Sequence, residues 1–209
     1  MKKIIFTIAL VSFALVSFTN LEAQQEIATG EAVAVFAAGD VDLTTSVLNW
    51  KGFKPSGSHE GTVGLKSGNM EVLDGVLQSG SFVVDLTSMK NTDIKSEKYG
   101  QKLIDHLSSS DFFDVEKFPT ASFVITTVTV QEKGLLVVGD LTIKGVTKSV
   151  SFPASLTETA NEITFTSEVF TVNRADFNVR YGSKSFFSNL KNKFINDLME
   201  FHFVVNAAK

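Results

Sequence analysis

Apolar residues in this chain recur at every second position, through run after run, and the runs are joined by very short links. From Asp40 onward this period of two marks strands with one buried face. In residues 135–143, Leu135, Val137, Leu141 and Ile143 share one face, and Leu136, Val138, Asp140 and Thr142 share the other. Val150, Phe152, Ala154 and Leu156 line up in the same way, as do Met199, Phe201, Phe203 and Val205 against Glu200, His202 and Val204. Similar runs occupy residues 46–53, 61–66, 70–77, 79–86, 120–130 and 162–172. The turn signals between them (Lys54-Pro55-Ser56-Gly57, Lys66-Ser67-Gly68-Asn69, Lys133-Gly134, Lys144-Gly145 and Thr159-Ala160-Asn161) are short, so neighbouring strands run antiparallel. Many strands in up-and-down order solve their edge problem by closing. The expected fold is all-β, a lipocalin-like antiparallel β-barrel, with a β-sandwich as the alternative that pattern alone does not separate. One helical insertion is expected at residues 95–107, where Tyr99, Leu103 and Leu107 recur at four-residue spacing.

The N-terminus reads as a targeting segment. Met1-Lys2-Lys3 is basic, residues 4–18 are apolar, and Leu21-Glu22-Ala23 offers a cleavage point before Gln24. Residues 1–23 are therefore expected to be a signal peptide, 24–39 a linker or edge strand, and 40–209 the barrel domain, in a periplasmic or secreted protein. The chain has no cysteine, which excludes a lipidated cysteine, disulfides and thiolate chemistry. Without Lys2, Lys3 and Glu22, 17 basic and 22 acidic residues remain, a formal charge of −5 with no basic cluster. Nucleic acid is not an expected partner.

Catalytic templates are missing too. No phosphate-binding glycine loop or serine elbow occurs, and His59-Glu60 lacks the second histidine of a zinc helix. No cofactor, metal site or enzymatic activity is expected. Asp111 and Asp114 flank Phe112-Phe113, and the acids read as local caps while the rings pack the helix onto the barrel. His202 belongs to the polar face of the last strand, and His59 to a turn. His106 lies beside the helix stripe, where it either meets a ligand head group or ties the helix to the next loop. Arg174, at a strand end, either clamps an anionic group or serves as a strut. Phe186-Phe187 stand among Lys184, Lys191 and Lys193, which suits either transient membrane contact or a plug for the barrel end. The 19 phenylalanines, against one tryptophan and two tyrosines, supply apolar area with no polar tip to satisfy. They fit a thick core or a lined cavity.

Three segments together carry a family resemblance. Residues 103–123 hold a histidine and leucine before Asp111-Phe112-Phe113-Asp114 and then Pro119-Thr120-Ala121. Residues 139–150 read Gly-Asp-Leu-Thr-Ile-Lys-Gly-Val-Thr-Lys-Ser-Val, and residues 173–177 read Asn-Arg-Ala-Asp-Phe, with Asp197 before the last strand. The combination resembles the YceI-like family of polyisoprenoid-binding envelope proteins, over about residues 40–205. Asn178 stands where many members show glycine, and residues 50–54 and 57–61 look like one envelope-protein branch of the family. The resemblance implies an eight-stranded barrel and an elongated cavity for a prenyl chain, quinone or fatty-acyl lipid. The candidate lining residues are Trp50, Phe82, Phe123, Leu141, Phe152, Phe165 and Phe203, with His106 and Arg174 as polar contacts. A homodimer is compatible with such a chain. The alternative is a structural or stress-response barrel with a filled interior; an enzyme acting on a lipid ranks below both.

Overall fold

The alternating runs become strands whose apolar faces turn inward. A computed structural model describes residues 37–209; the expected signal peptide and residues 24–36 of the expected linker lie outside the described residues. The strands are β1 (Ala37–Asp40), β2 (Val47–Lys54), β3 (Gly57–Leu73), β4 (Val76–Asn91), β5 (Thr120–Val130), β6 (Leu135–Ile143), β7 (Val146–Glu158), β8 (Glu162–Ser167), β9 (Phe170–Asn173) and β10 (Leu198–Ala208). One helix, α1 (Glu97–Ser108), and a 3-10 turn, Arg174–Phe177, complete the elements.

All the strand pairings are antiparallel. They run β3-β2-β10-β8-β7-β6-β5-β4, and β4 returns to pair with β3, so eight strands close into a barrel. The remaining two strands extend staves that break. β1 pairs with the far half of β3, where β2 has ended, and β9 pairs with the first half of β10, where β8 has ended. The second break leaves a seam. β7 is laddered to β8 only from Ala154 to Glu158, and no ladder joins its earlier half to β9. The stacked rings of Phe152 and Phe170 bridge this seam, with centroids 4.5 Å apart.

Two stretches differ from the sequence reading. Lys66-Ser67-Gly68-Asn69 is not a turn but part of β3, with a register shift between Leu65 and Ser67. Lys66 is the extra residue of a bulge, which bends a seventeen-residue strand without ending it, and Gly68 and Asn69 pair in register beyond it. The actual hairpin turn is Asp74-Gly75, inside the run read as 70–77. Both residues have positive φ (50° and 76°), the requirement of a two-residue turn that matches strand twist. In α1 the packed stripe runs through Gly100, Leu103, Ile104 and Leu107, while Tyr99 stands in solvent. His59 belongs to β3 and not to a turn.

The barrel has two unlike ends. At one, tight links between strands enclose a packed core of Met70, Val72, Leu77, Val137, Ile163, Phe165 and their neighbours. At the other, α1 and the segments after it fold over the opening and form a second cluster with Trp50, Leu86, Met89, Phe112, Phe113 and Met199. Hydrogen bonds from Phe113 N–H to Leu107 O and from Val115 N–H to Ser108 O turn the chain back under α1. Lys144 Nζ, on the β6–β7 turn, donates to Phe112 O at 2.8 Å and ties the cover to the wall.

The approach to α1 is fixed by Asp93. Its carboxylate accepts from Glu60 N–H at 3.0 Å and His59 Nδ1 at 2.9 Å, and also from Asn91. Burial works to raise its pKa, but these donors prevail and hold it below the ordinary carboxylate range. Folding therefore favours the charged form. The contribution is complete above the unfolded value, near 4, and is lost as pH falls through the lower folded one. Asp93→Ala should cost about 1–2 kcal/mol at neutral pH. Urea midpoints should show this gap narrowing as the pH is taken below the carboxylate range; a gap that persists in acid contradicts the assignment.

Candidate functional site

The inward rows leave space between the two cores. Trp50 on β2 lies across from Gly61 on β3 and Phe201 on β10. A side chain at Gly61 would collide with the Trp50 ring, so glycine there lets the indole lie flat against the wall. The Trp50 Nε1–H donates to Thr62 O at 3.3 Å, so the ring enters the interior with its polar group satisfied. From Phe201 beside it downward, Phe82, Phe123, Phe152, Phe165, Phe170, Phe201 and Phe203 form one connected set of rings, with successive centroids 4.5–6.1 Å apart. This is the cavity floor, and it rests on the packed core.

The resulting cavity measures about 130 Å³. Every residue lining it is apolar, from Leu48 and Val63 through Ala121 and Leu141 to Leu107 and Phe113 beneath the helical cover. An empty apolar space of about this size stays dry and accepts a single aromatic ring. Five carbons of an isoprene unit are a comparable load. Met89 and Met199 lie toward the helix end, and their flexible side chains can yield to a longer chain.

Of the nine candidate residues, six line this cavity: Trp50, Phe82, Phe123, Leu141, Phe152 and Phe203. The structure places the other three elsewhere. Phe165 is fully buried one layer below, against Phe82 and Phe203. His106 points away from the cavity, its ring edge-on to Tyr181 at 4.4 Å. Its neighbour Leu107 does reach the interior. Phe113, Phe170 and Phe201 also line the cavity, beyond the residues that the sequence points to. Phe201 shares the inward face of the last strand with Phe203, so the alternation could have found it; Phe113 depends on how the cover folds.

Arg174 is 2% exposed, and each of its three side-chain nitrogens donates within the fold. Nε donates to Asn196 O at 3.0 Å, one Nη to Val179 O at 2.7 Å and the other to Ile195 O at 3.0 Å; the Asp197 carboxylate lies 3.3 Å away. The guanidinium also lies over the Phe112 ring at 5.2 Å. Burial pushes its pKa below the ordinary value, against the opposing pull of Asp197. Arg174 thus pins the long segment between the 3-10 turn and β10 to the cover beyond α1. Asn178 ends that turn at φ 59°, a left-handed position in which asparagine is the usual substitute for glycine. Asp111 and Asp114 make no side-chain hydrogen bond among the described residues, whereas Phe112 and Phe113 are both buried.

Residues 39–207 match the model of the YceI-like domain. The chain belongs to this family. Curated relatives include a UPF0312 protein of Pseudomonas putida (strain W619), 53% identical over 51 residues, which are 24% of this chain and 27% of that one. A UPF0312 protein of Yersinia enterocolitica is 46% identical over 57 residues, 27% of this chain and 30% of its own. The aligned stretch thus spans only about a quarter to a third of these relatives. Among solved structures, Burkholderia cenocepacia BcnA superposes with a TM-score of 0.63 at 23% identity, covering 80% of this chain and 99% of its own. A polyisoprenoid binding domain from Saccharophagus degradans, implicated in plant cell wall breakdown, gives 0.58 at 16% identity, covering 83% and 99%. At these identities the likeness shows a shared fold.

For this YceI-like barrel, Arg174→Met should cost about 3 kcal/mol, because three carbonyls and a half-buried carboxylate lose their partner. Arg174→Lys should not restore the loss, since an ammonium cannot serve three acceptors set around a planar fork. Chemical denaturation of the purified variants checks both; a lysine variant as stable as the parent rules out the clamp.

Proposed function

We propose that this protein is a non-enzymatic carrier that holds the apolar chain of an amphiphilic lipid (a polyisoprenoid, quinone or fatty-acyl lipid) in the barrel, for storage or transport in the periplasm or outside the cell. The observation that carries the reading is a cavity lined only by apolar residues, floored by stacked rings and covered by a helix instead of a ladder. The family and the polyisoprenoid binding of the Saccharophagus degradans domain support it. Trp50, Phe82, Phe123, Leu141, Phe152 and Phe203 are the proposed contacts, joined by Leu107, Phe113 and Phe201.

Magnitudes favour a long chain over a small ligand. Each buried methylene is worth about 0.8 kcal/mol, so one five-carbon unit gives about 4 kcal/mol. That only matches the lower estimates for the cost of association, about 4 kcal/mol and upward. Several units are needed, and the chain would extend past Met89 and Met199 toward the cover. Its head group then lies at the helix end. Contact with a bilayer, where such a cargo resides, belongs to the same reading.

The small cavity volume is also what a filled, ligand-free barrel would show, and extraction separates the two. Protein purified from its native compartment, extracted with organic solvent and analysed by mass spectrometry, should yield a stoichiometric lipid. Ala121→Phe, which places a ring in the cavity, should abolish that yield while leaving the circular dichroism of the barrel intact. A parent protein that returns no lipid favours the filled barrel. The same preparation should begin at Gln24 on N-terminal sequencing; a retained Met1 contradicts export by signal cleavage.

A further inference from the structure

The segment between the 3-10 turn and β10 departs from the rest of the chain in charge and in exposure. Residues 178–196 contain Arg180, Lys184, Lys191 and Lys193 and no carboxylate, within a protein of formal charge −4. The flanking acids are Asp176 and Asp197. The latter is taken up by Arg174 and by Ser185 Oγ, which donates to it at 2.7 Å. The same segment holds the only exposed phenylalanines among the described residues, Phe186 at 39% and Phe187 at 49%, together with Tyr181 at 44%. Elsewhere the described phenylalanines lie wholly or partly inside.

These rings are displayed on a built turn. Ser183 is fully buried, its carbonyl accepts from Phe186 N–H at 3.2 Å and Phe187 N–H at 3.0 Å, and its hydroxyl accepts from Ser185 N–H at 3.1 Å. Ile195 N–H closes the segment onto Gly182 O at 2.8 Å. Cations stand against the rings, with Arg180 4.8 Å from Phe186 and Lys184 3.5 Å from Phe194. Exposed aromatics ringed by lysine and arginine stems are suited to the boundary between lipid head groups and acyl chains, where rings enter and charges remain at the phosphates.

The placement of this surface ties it to the cavity. Tyr181 packs on His106 of α1, and the next residue of α1, Leu107, lines the interior. Ile195 belongs to the cluster that covers the helix end. We infer that residues 180–194 dock the barrel, helix end first, on an anionic lipid surface, with Phe186 and Phe187 inserted and Arg180, Lys184, Lys191 and Lys193 at the phosphates. This deepens the carrier reading and rests on it for its purpose, since docking sets the covered mouth of the cavity against the membrane from which cargo would enter.

Vesicle co-sedimentation tests it. The protein should pellet with phosphatidylcholine vesicles containing phosphatidylglycerol, and at least tenfold less with phosphatidylcholine alone or at high salt. Phe187→Ser, and separately Lys191→Gln with Lys193→Gln, should each reduce pelleting about tenfold with unchanged melting temperature, as these side chains are exposed. Lipid extraction of the same variants distinguishes the two readings. Variants that no longer pellet but keep a bound lipid support docking as a separate function of this surface. Pelleting that depends on these residues in a protein without extractable lipid supports docking and defeats the carrier. A parent protein that ignores anionic vesicles, or variants that pellet like the parent, overturn the inference. So does Phe187-dependent self-association in the ultracentrifuge without vesicle binding, which assigns the surface to a second copy of the chain.

Discussion

The return of β4 onto β3 is the interaction on which the rest depends. An open sheet of these strands would have two faces and two full edges; closure gives it one inside and leaves breaks in the ladder only beside the short strands β1 and β9. Once the ladder closes, alternation along each strand becomes a radial sorting of side chains, and the many phenylalanines of the inner rows must share a single axis. They stack across it and fill one end. At the other end tight turns join only β2 to β3 and β6 to β7, and the chain covers the opening with α1, the turns after it and the segment clamped by Arg174. The cavity is the interval between these two solutions.

Much of this was legible in the sequence because alternation is a local signal. The runs 120–130 and 135–143 coincide with β5 and β6, and the inward faces of β6, β7 and β10 were read correctly. Composition misled where it serves two ends. Glycine and asparagine at 68–69 stay in the ladder just past a bulge at Lys66, whereas the real turn at Asp74-Gly75 is hidden between Leu73 and Val76, within an apolar run that continues the strand pattern.

The site was legible to the extent that strands build it. Six lining residues followed from facing, but Leu107 and Phe113 arrive from an insertion whose fold-back is set by hydrogen bonds to Leu107 O and Ser108 O. Polar residues carry the least positional information in sequence. An arginine at a strand end looks the same in sequence whether it meets a ligand or three carbonyls. The carbonyls of Val179, Asn196 and Ile195 come together around Arg174 only in three dimensions. His106 is similar: its ring met Tyr181, seventy-five positions further along the chain.

The break between β8 and β9 bears on how the wall can deform. Along most of the barrel, parting two strands means breaking a ladder, at about 1 kcal/mol for each hydrogen bond and all of them together. Between the first half of β7 and β9 there is no ladder to break, and the stack of Phe152 on Phe170 is worth only about 0.5–1.5 kcal/mol beyond its buried area. Both rings belong to the cavity lining. The barrel thus has a hem that is fastened and not sewn: along it the wall is held by side-chain packing, with no ladder across it.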